Sequence, residues 1–250
     1  MSCAQNINCG GCLDLLGCPS GQCPDFIIRR HDVRPNFKVS LEDCDGPLDL
    51  TDLVVEFSMW AKARLKVAIT TTSSVLSFAD RIGFNQAMIG DIIIMDRARS
   101  PEHMKVIGFD EDSYQVIVQR GVNGTSISNW KKGNALRIMK AFSNPAFSEL
   151  LLQDVANLDG TTDKDQLTDS FVVYEWMPSD TCLAGCYWCE FKLLKLLINQ
   201  IDVSSVNDVT ITSSSDYGCK LGTGVEWVRR FPLGKEGYLV QVTESPTAEI

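Results

Sequence analysis

Short runs of β-branched and aromatic residues, broken at even intervals by turn chemistry, constrain this chain more than any other feature of its sequence. FKVSLED (37–43) alternates Phe37, Val39 and Leu41 with Lys38, Ser40 and Glu42, the pattern of a half-buried strand in an antiparallel sheet. FIIRRHD (26–32), LVVEFSMW (53–60), FVVYEWM (171–177), GCYWCEFKLLKL (185–196), DVTITSS (208–214), VEWVRRFP (225–232) and GYLVQVTE (237–244) repeat the style. Between positions 67 and 142 lie five more strand candidates: AITTTSSVLSF, DIIIMD, HMKVIGFD, SYQVIVQR and NALRIMKAF. Asp45-Gly46-Pro47, Asp110 to Ser113 and Arg120 to Thr125 supply the turns, because Gly and Asn tolerate left-handed backbone and Pro cannot donate. No βαβ alternation is present, so the expected fold is mainly β, an antiparallel β-sandwich.

Four segments follow from this reading. Residues 1–24 form a Cys-rich N-terminal segment, 25–66 plus 169–250 the sandwich, 67–142 an inserted small β module, and 143–168 one helix and a linker. The helix is expected in PAFSELLLQDVANL, where Phe147, Leu150, Leu151, Val155 and Leu158 recur at roughly helical spacing behind Pro145.

Composition excludes several classes of function. With 23 Lys+Arg against 32 Asp+Glu and a net charge of -9, the chain lacks the basic footprint of nucleic-acid binding. Its most apolar run, FKLLKLLINQI (191–201), carries two lysines and falls short of the roughly 20 residues a membrane span needs. The first residues have neither a basic nor an apolar region of a signal peptide. Folding in a cytosol is therefore expected, with the ten cysteines as thiols or metal ligands.

Two cysteine constellations could carry chemistry. Cys9, Cys12, Cys18 and Cys23 can form a tetrahedral set of four thiolates for zinc or an iron–sulfur cluster. A short coreless segment gains order from such a metal; oxidised pairs or a loose arm are the alternatives. The second is Cys182-x3-Cys186-x2-Cys189, the spacing of radical enzymes that hold a [4Fe–4S] cluster. The motif lies on an expected strand rather than at the head of a parallel barrel, and Cys186 and Cys189 would face opposite ways. Inert burial is the expectation, and a metal-cluster enzyme the alternative. His31 and His103 are isolated, and nothing in their spacing suggests a catalytic triad. The five tryptophans are expected as core or interface anchors.

Beyond composition, three segments resemble the N-terminal domain of phage upper-baseplate proteins. They are IIRRHDVRPNFKVSLEDCDGPLDLTDLVVEFSMW, FVVYEWMPSDTCLAGCYWCEFKL with its Y-x-W, D-T and G-x-Y-x-x-E-F elements, and RRFPLGKEGYLVQVTE. RGVNGTSISNWKKGNALRI (120–138) is similar to a turn-and-strand of phage tail and tail-fibre β modules. The insertion and the cysteine-rich head depart from the family pattern. The resemblance implies a non-enzymatic virion protein of the tail, baseplate or fibre-attachment adaptor, assembled in the bacterial cytoplasm. Its implied partners are other tail, baseplate and fibre proteins and further copies of itself.

Overall fold

The computed structural model describes residues 24–43, 46–95, 101–156, 162–196, 225–232 and 237–244. The expected strand at 208–214 and the cysteines of the first 23 residues lie outside them. The strands are β1 (Phe26–Arg29), β2 (Phe37–Ser40), β3 (Glu42–Asp43), β4 (Gly46–Pro47), β5 (Leu53–Arg64), β6 (Val75–Ser77), β7 (Ile92–Met95), β8 (Glu102–Asp110), β9 (Gln115–Arg120), β10 (Ala135–Ala156), β11 (Thr162–Tyr174), β12 (Gly185–Leu196), β13 (Val225–Phe231) and β14 (Tyr238–Thr243). One short helix, α1 (Arg81–Asn85), interrupts them. The mainly-β fold is as expected, built on a 12-stranded mixed sheet.

Two units share β5 and β10. In the first, neighbours run β1-β14-β12-β5-β10, and β11 and β2 continue from the second half of β10. All its pairings are antiparallel except β1 with β14. Aromatic rings fill the space between its layers. Phe37 on β2 stacks on Phe191 of β12 at 5.6 Å, and Tyr174 on β11 stacks on Phe57 of β5 at 3.8 Å. Offset and edge-on contacts of this kind add to what area burial alone contributes.

In the second unit, β5-β10-β7-β8-β9-β6 pair in that order. The Leu65–Phe78 bridge, with Lys66 N–H donating to Ser77 C=O and Ala79 N–H to Arg64 C=O, joins β6 back to β5. The six strands thus close into a small barrel, which leaves no open edge. Ala63, Leu76, Ile93, Met104, Val116 and Val118 are buried within it. The hairpin expected at Asp110 to Ser113 links β8 and β9, with Ser113 N–H donating to the Asp110 side chain.

The expected helix at 145–158 is corrected. Residues 145–156 belong to the far half of β10, a 22-residue strand, and 157–158 lie outside the described residues. The helix-like spacing loses to pairing: Phe147 to Ala156 run alongside Val173 to Thr162 of β11, and a partner strand outweighs a weak local preference. Pro145 lies where β10 has left β7 and not yet met β11, opposite Glu56 alone, a one-sided place that a residue without N–H tolerates.

Helix α1 lies elsewhere. The Asp80 side chain accepts from Gly83 N–H at its start, as N-terminal caps do. A Cβ on Gly83 would stand 2.8 Å from the Ala63 Cβ, so glycine lets the helix sit on β5.

Candidate assembly surface

Of the sequence-derived ligands, only Cys182, Cys186 and Cys189 fall within the described residues, and they do not form a metal-ligand group there. Cys9, Cys12, Cys18 and Cys23 lie outside the described residues. Cys182 sits in the turn after β11, where its thiol donates to the Ser179 carbonyl at 2.8 Å and burial raises its pKa. Cys189 is fully enclosed in the core, and burial pushes its thiol well above the ordinary range. Cys186 is disulfide-bonded, against the expectation of free thiols. That expectation rested on compartment alone, whereas local geometry decides which sulfurs can meet. Among the described residues no three His, Cys, Asp or Glu side chains converge as metal ligands would.

The motif residues instead lock the fold. Asn144 donates to the Tyr174 hydroxyl (2.9 Å), which donates to Asp180 (2.7 Å), and the same Asp180 oxygen accepts from Met177 N–H (2.9 Å). Burial raises the pKa of Asp180 and lifts the Tyr174 phenol far above its usual range. Trp176 Nε1 donates to the Pro35 carbonyl and Thr181 Oγ1 to the Asp32 carbonyl. Trp176 and Thr181 therefore tie the turn after β11 to the loop after β1, while Tyr174 and Asp180 hold that turn against β11 and β10.

The RGVNGT turn is built likewise. Glu102, at 0 % exposure inside the small barrel, accepts from Arg120 Nε and Nη2 at 2.7 Å each. It also accepts from Trp130 Nε1 at 2.7 Å and Ser128 N–H at 3.0 Å. Arg120 donates further to the carbonyls of Thr70, Ser73 and Ser128. Gly121, Asn123 and Gly124 adopt positive φ, and Thr125 Oγ1 accepts from His103 N–H while donating to the Val122 carbonyl. A buried charge pair so fully hydrogen-bonded is a structural knot. The isolated His103 is buried beside this turn, with its Nδ1 3.3 Å from Asn123 Nδ2. His31 is an exposed turn residue at φ 66°.

What the sequence reading missed is an arm. From Phe147 to Asp154 every residue of β10 is exposed, as are Thr162 to Gln166 on β11. Side chains alternate across a strand, so exposure of consecutive residues leaves both faces of this two-stranded ribbon uncovered. One face carries Leu150 and Leu152, the latter opposite Leu167; the other carries Phe147 and Leu151. Phe147 is 56 % and Leu152 51 % exposed. Full burial of such a side chain is worth about 1.5–3 kcal/mol, and a lone hairpin is marginal in water. Around these leucines stand Glu149, Asp154, Asp163, Asp165 and Asp169, with Lys164 the lone cation of the ribbon itself. Glu149 pairs with Lys38 of β2 at 2.5 Å.

The remote end of the small barrel has the opposite character. Arg64, Lys66, Lys131 and Lys132 are all exposed there. Leu65 N–H donates to Asn134 C=O, Gly133 N–H to Leu65 C=O, and Lys131 N–H to the Asn134 side chain, which fixes the four cations on one rim. Val67, 48 % exposed, stands beside them. None of the four forms an ion pair among the described residues.

Comparison with known proteins finds no family model that matches this chain and no curated protein similar to it. Among the described residues no helix is long and apolar enough to cross a membrane.

Proposed function

We propose that this chain is a structural, non-enzymatic component of a bacteriophage tail, baseplate or fibre-attachment adaptor, which docks on the tail and holds other virion proteins. The observation that carries the reading is the ribbon of β10 and β11, which exposes large apolar side chains on both faces. A catalytic protein has no need of such an arm, whereas an assembly part gains its binding free energy by burying one. The baseplate-like motifs agree, since their polar residues are spent on holding strands and turns in place. The test is immunogold electron microscopy with antibodies to this chain on intact phage particles from the host that carries it. Gold on the tail is the expected result; particles that contain none of the chain overturn the assignment.

A further inference from the structure

The arm and the basic rim have matching chemistry and cannot meet within one molecule. Ala146, one residue before the arm, pairs with Val55, and Ala135 pairs with Arg64 of the rim. The nine-residue step along β5 between them separates the two surfaces by about 30 Å at a strand's rise per residue. The arm presents leucines among five carboxylates, one of them paired with Lys38, and one lysine; the rim presents four cations around Val67 that form no ion pair among the described residues. Asp80 follows Ala79, whose N–H donates to the Arg64 carbonyl, so one exposed carboxylate also stands by that rim. Opposite charge on two remote surfaces of one chain is the arrangement that selects a second copy in head-to-tail order. Arm against arm would instead set acid against acid.

We infer that the acidic, apolar β10–β11 arm of one copy docks on the Arg64/Lys66/Lys131/Lys132 rim of the next, so that this chain self-assembles through a heterologous interface. Such a contact generates a ring where its rotation closes and a filament where it does not. The inference rests on the reading of the arm as an assembly surface, and names its partner. It does not depend on where the protein resides, so a chain absent from phage particles sinks the proposed function and leaves this inference standing.

The experiment measures the mass of the full chain in solution by sedimentation at rising concentration, in low and high salt. Two charge-reversed variants are compared with the natural chain: Lys131→Glu with Lys132→Glu on the rim, and Asp163→Lys with Asp169→Lys on the arm. All four positions lie outside the core, and circular dichroism with thermal melting checks that each variant keeps the natural fold. Lys131→Gln with Lys132→Gln replaces the rim variant if it does not. The natural chain is expected to assemble beyond the monomer, at least tenfold less tightly in high salt. Each variant alone loses association by at least tenfold, and the two mixed in equal amounts regain it, since the reversed arm fits the reversed rim. A natural chain that stays monomeric overturns the inference. So does a rim variant that assembles like the natural chain, which would mean arm-to-arm pairing, or a mixture that fails to reassemble.

Discussion

A carboxylate at 0 % exposure is tolerable only when its partners are complete, and Glu102 has four donors around it. Removing it would leave Arg120, whose side chain is 4 % exposed, as a charge without a counterion. We expect Glu102→Gln to destabilise the protein by about 3–5 kcal/mol, the cost of breaking a buried pair from one side, read from urea unfolding. Asp180 behaves differently, because one of its oxygens accepts from both Tyr174 and Met177. Asp180→Asn keeps an acceptor there and should cost under about 1 kcal/mol, whereas Asp180→Ala strands two donors and should cost about 2–3 kcal/mol. Burial raises the Asp180 pKa, against the lowering by its hydrogen bonds, so the folded state holds this proton more tightly than the unfolded chain does. The group's contribution to stability is fully present below about 3.9, the unfolded value, and is lost as pH rises through the raised folded value. We expect Asp180→Asn to flatten that part of the stability–pH curve; an unchanged slope would show that other groups produce it.

At the scale of elements, legibility followed burial. FKVSLED was readable because one face is covered: Phe37 and Leu41 are buried while Lys38 and Ser40 are exposed. The RGVNGT turn was equally readable, since positive φ at Gly121, Asn123 and Gly124 demands those residue types. A Cβ on Gly121 would lie 2.9 Å from Ile127 Cγ1 at φ +67°. We expect Gly121→Ala to cost about 1–2 kcal/mol through strain and crowding, and Gly124→Ala, where nothing lies within 4 Å, to cost less; thermal melting of the pair compares them. The far half of β10 was not readable. Its residues meet solvent on both faces, so no period of two is imposed, and the leucines fell by chance into helical spacing. Helix α1 was missed because five residues are too few to show a period; Asp80 ahead of Gly83 was its one local signal. The basic rim was hidden because Arg64 and Lys131 are distant in sequence.

Taken whole, the molecule is a closed barrel and an aromatic-filled sandwich on two shared strands, with the arm standing outside both. No arm residue from Ser148 to Asp154 belongs to the buried core or packs against it. The body should therefore fold without the arm. We expect that replacing residues 149–167 with a tight turn changes the melting temperature by no more than about 5 °C, equivalent to roughly 1–2 kcal/mol for a chain this size. The shortened protein should lose self-association in the same sample. A collapse of the melting transition would mean that the ribbon is part of the core.

The parallel contact of β1 with β14 sets an order in time. Phe26 lies beside Val240, and Asp25 exchanges bonds with Leu239 across 214 residues of sequence. Because β14 stands between β1 and β12, a ribosome must deliver the whole stretch from β1 to β14 before these three can zip together. Pairings that distant form slowly, and meanwhile Gly185 to Cys189 offer an open ladder to any passing strand. A premature stop shortly before Tyr238 would thus yield sticky, misassembling polypeptide rather than a folded protein that merely lacks β14.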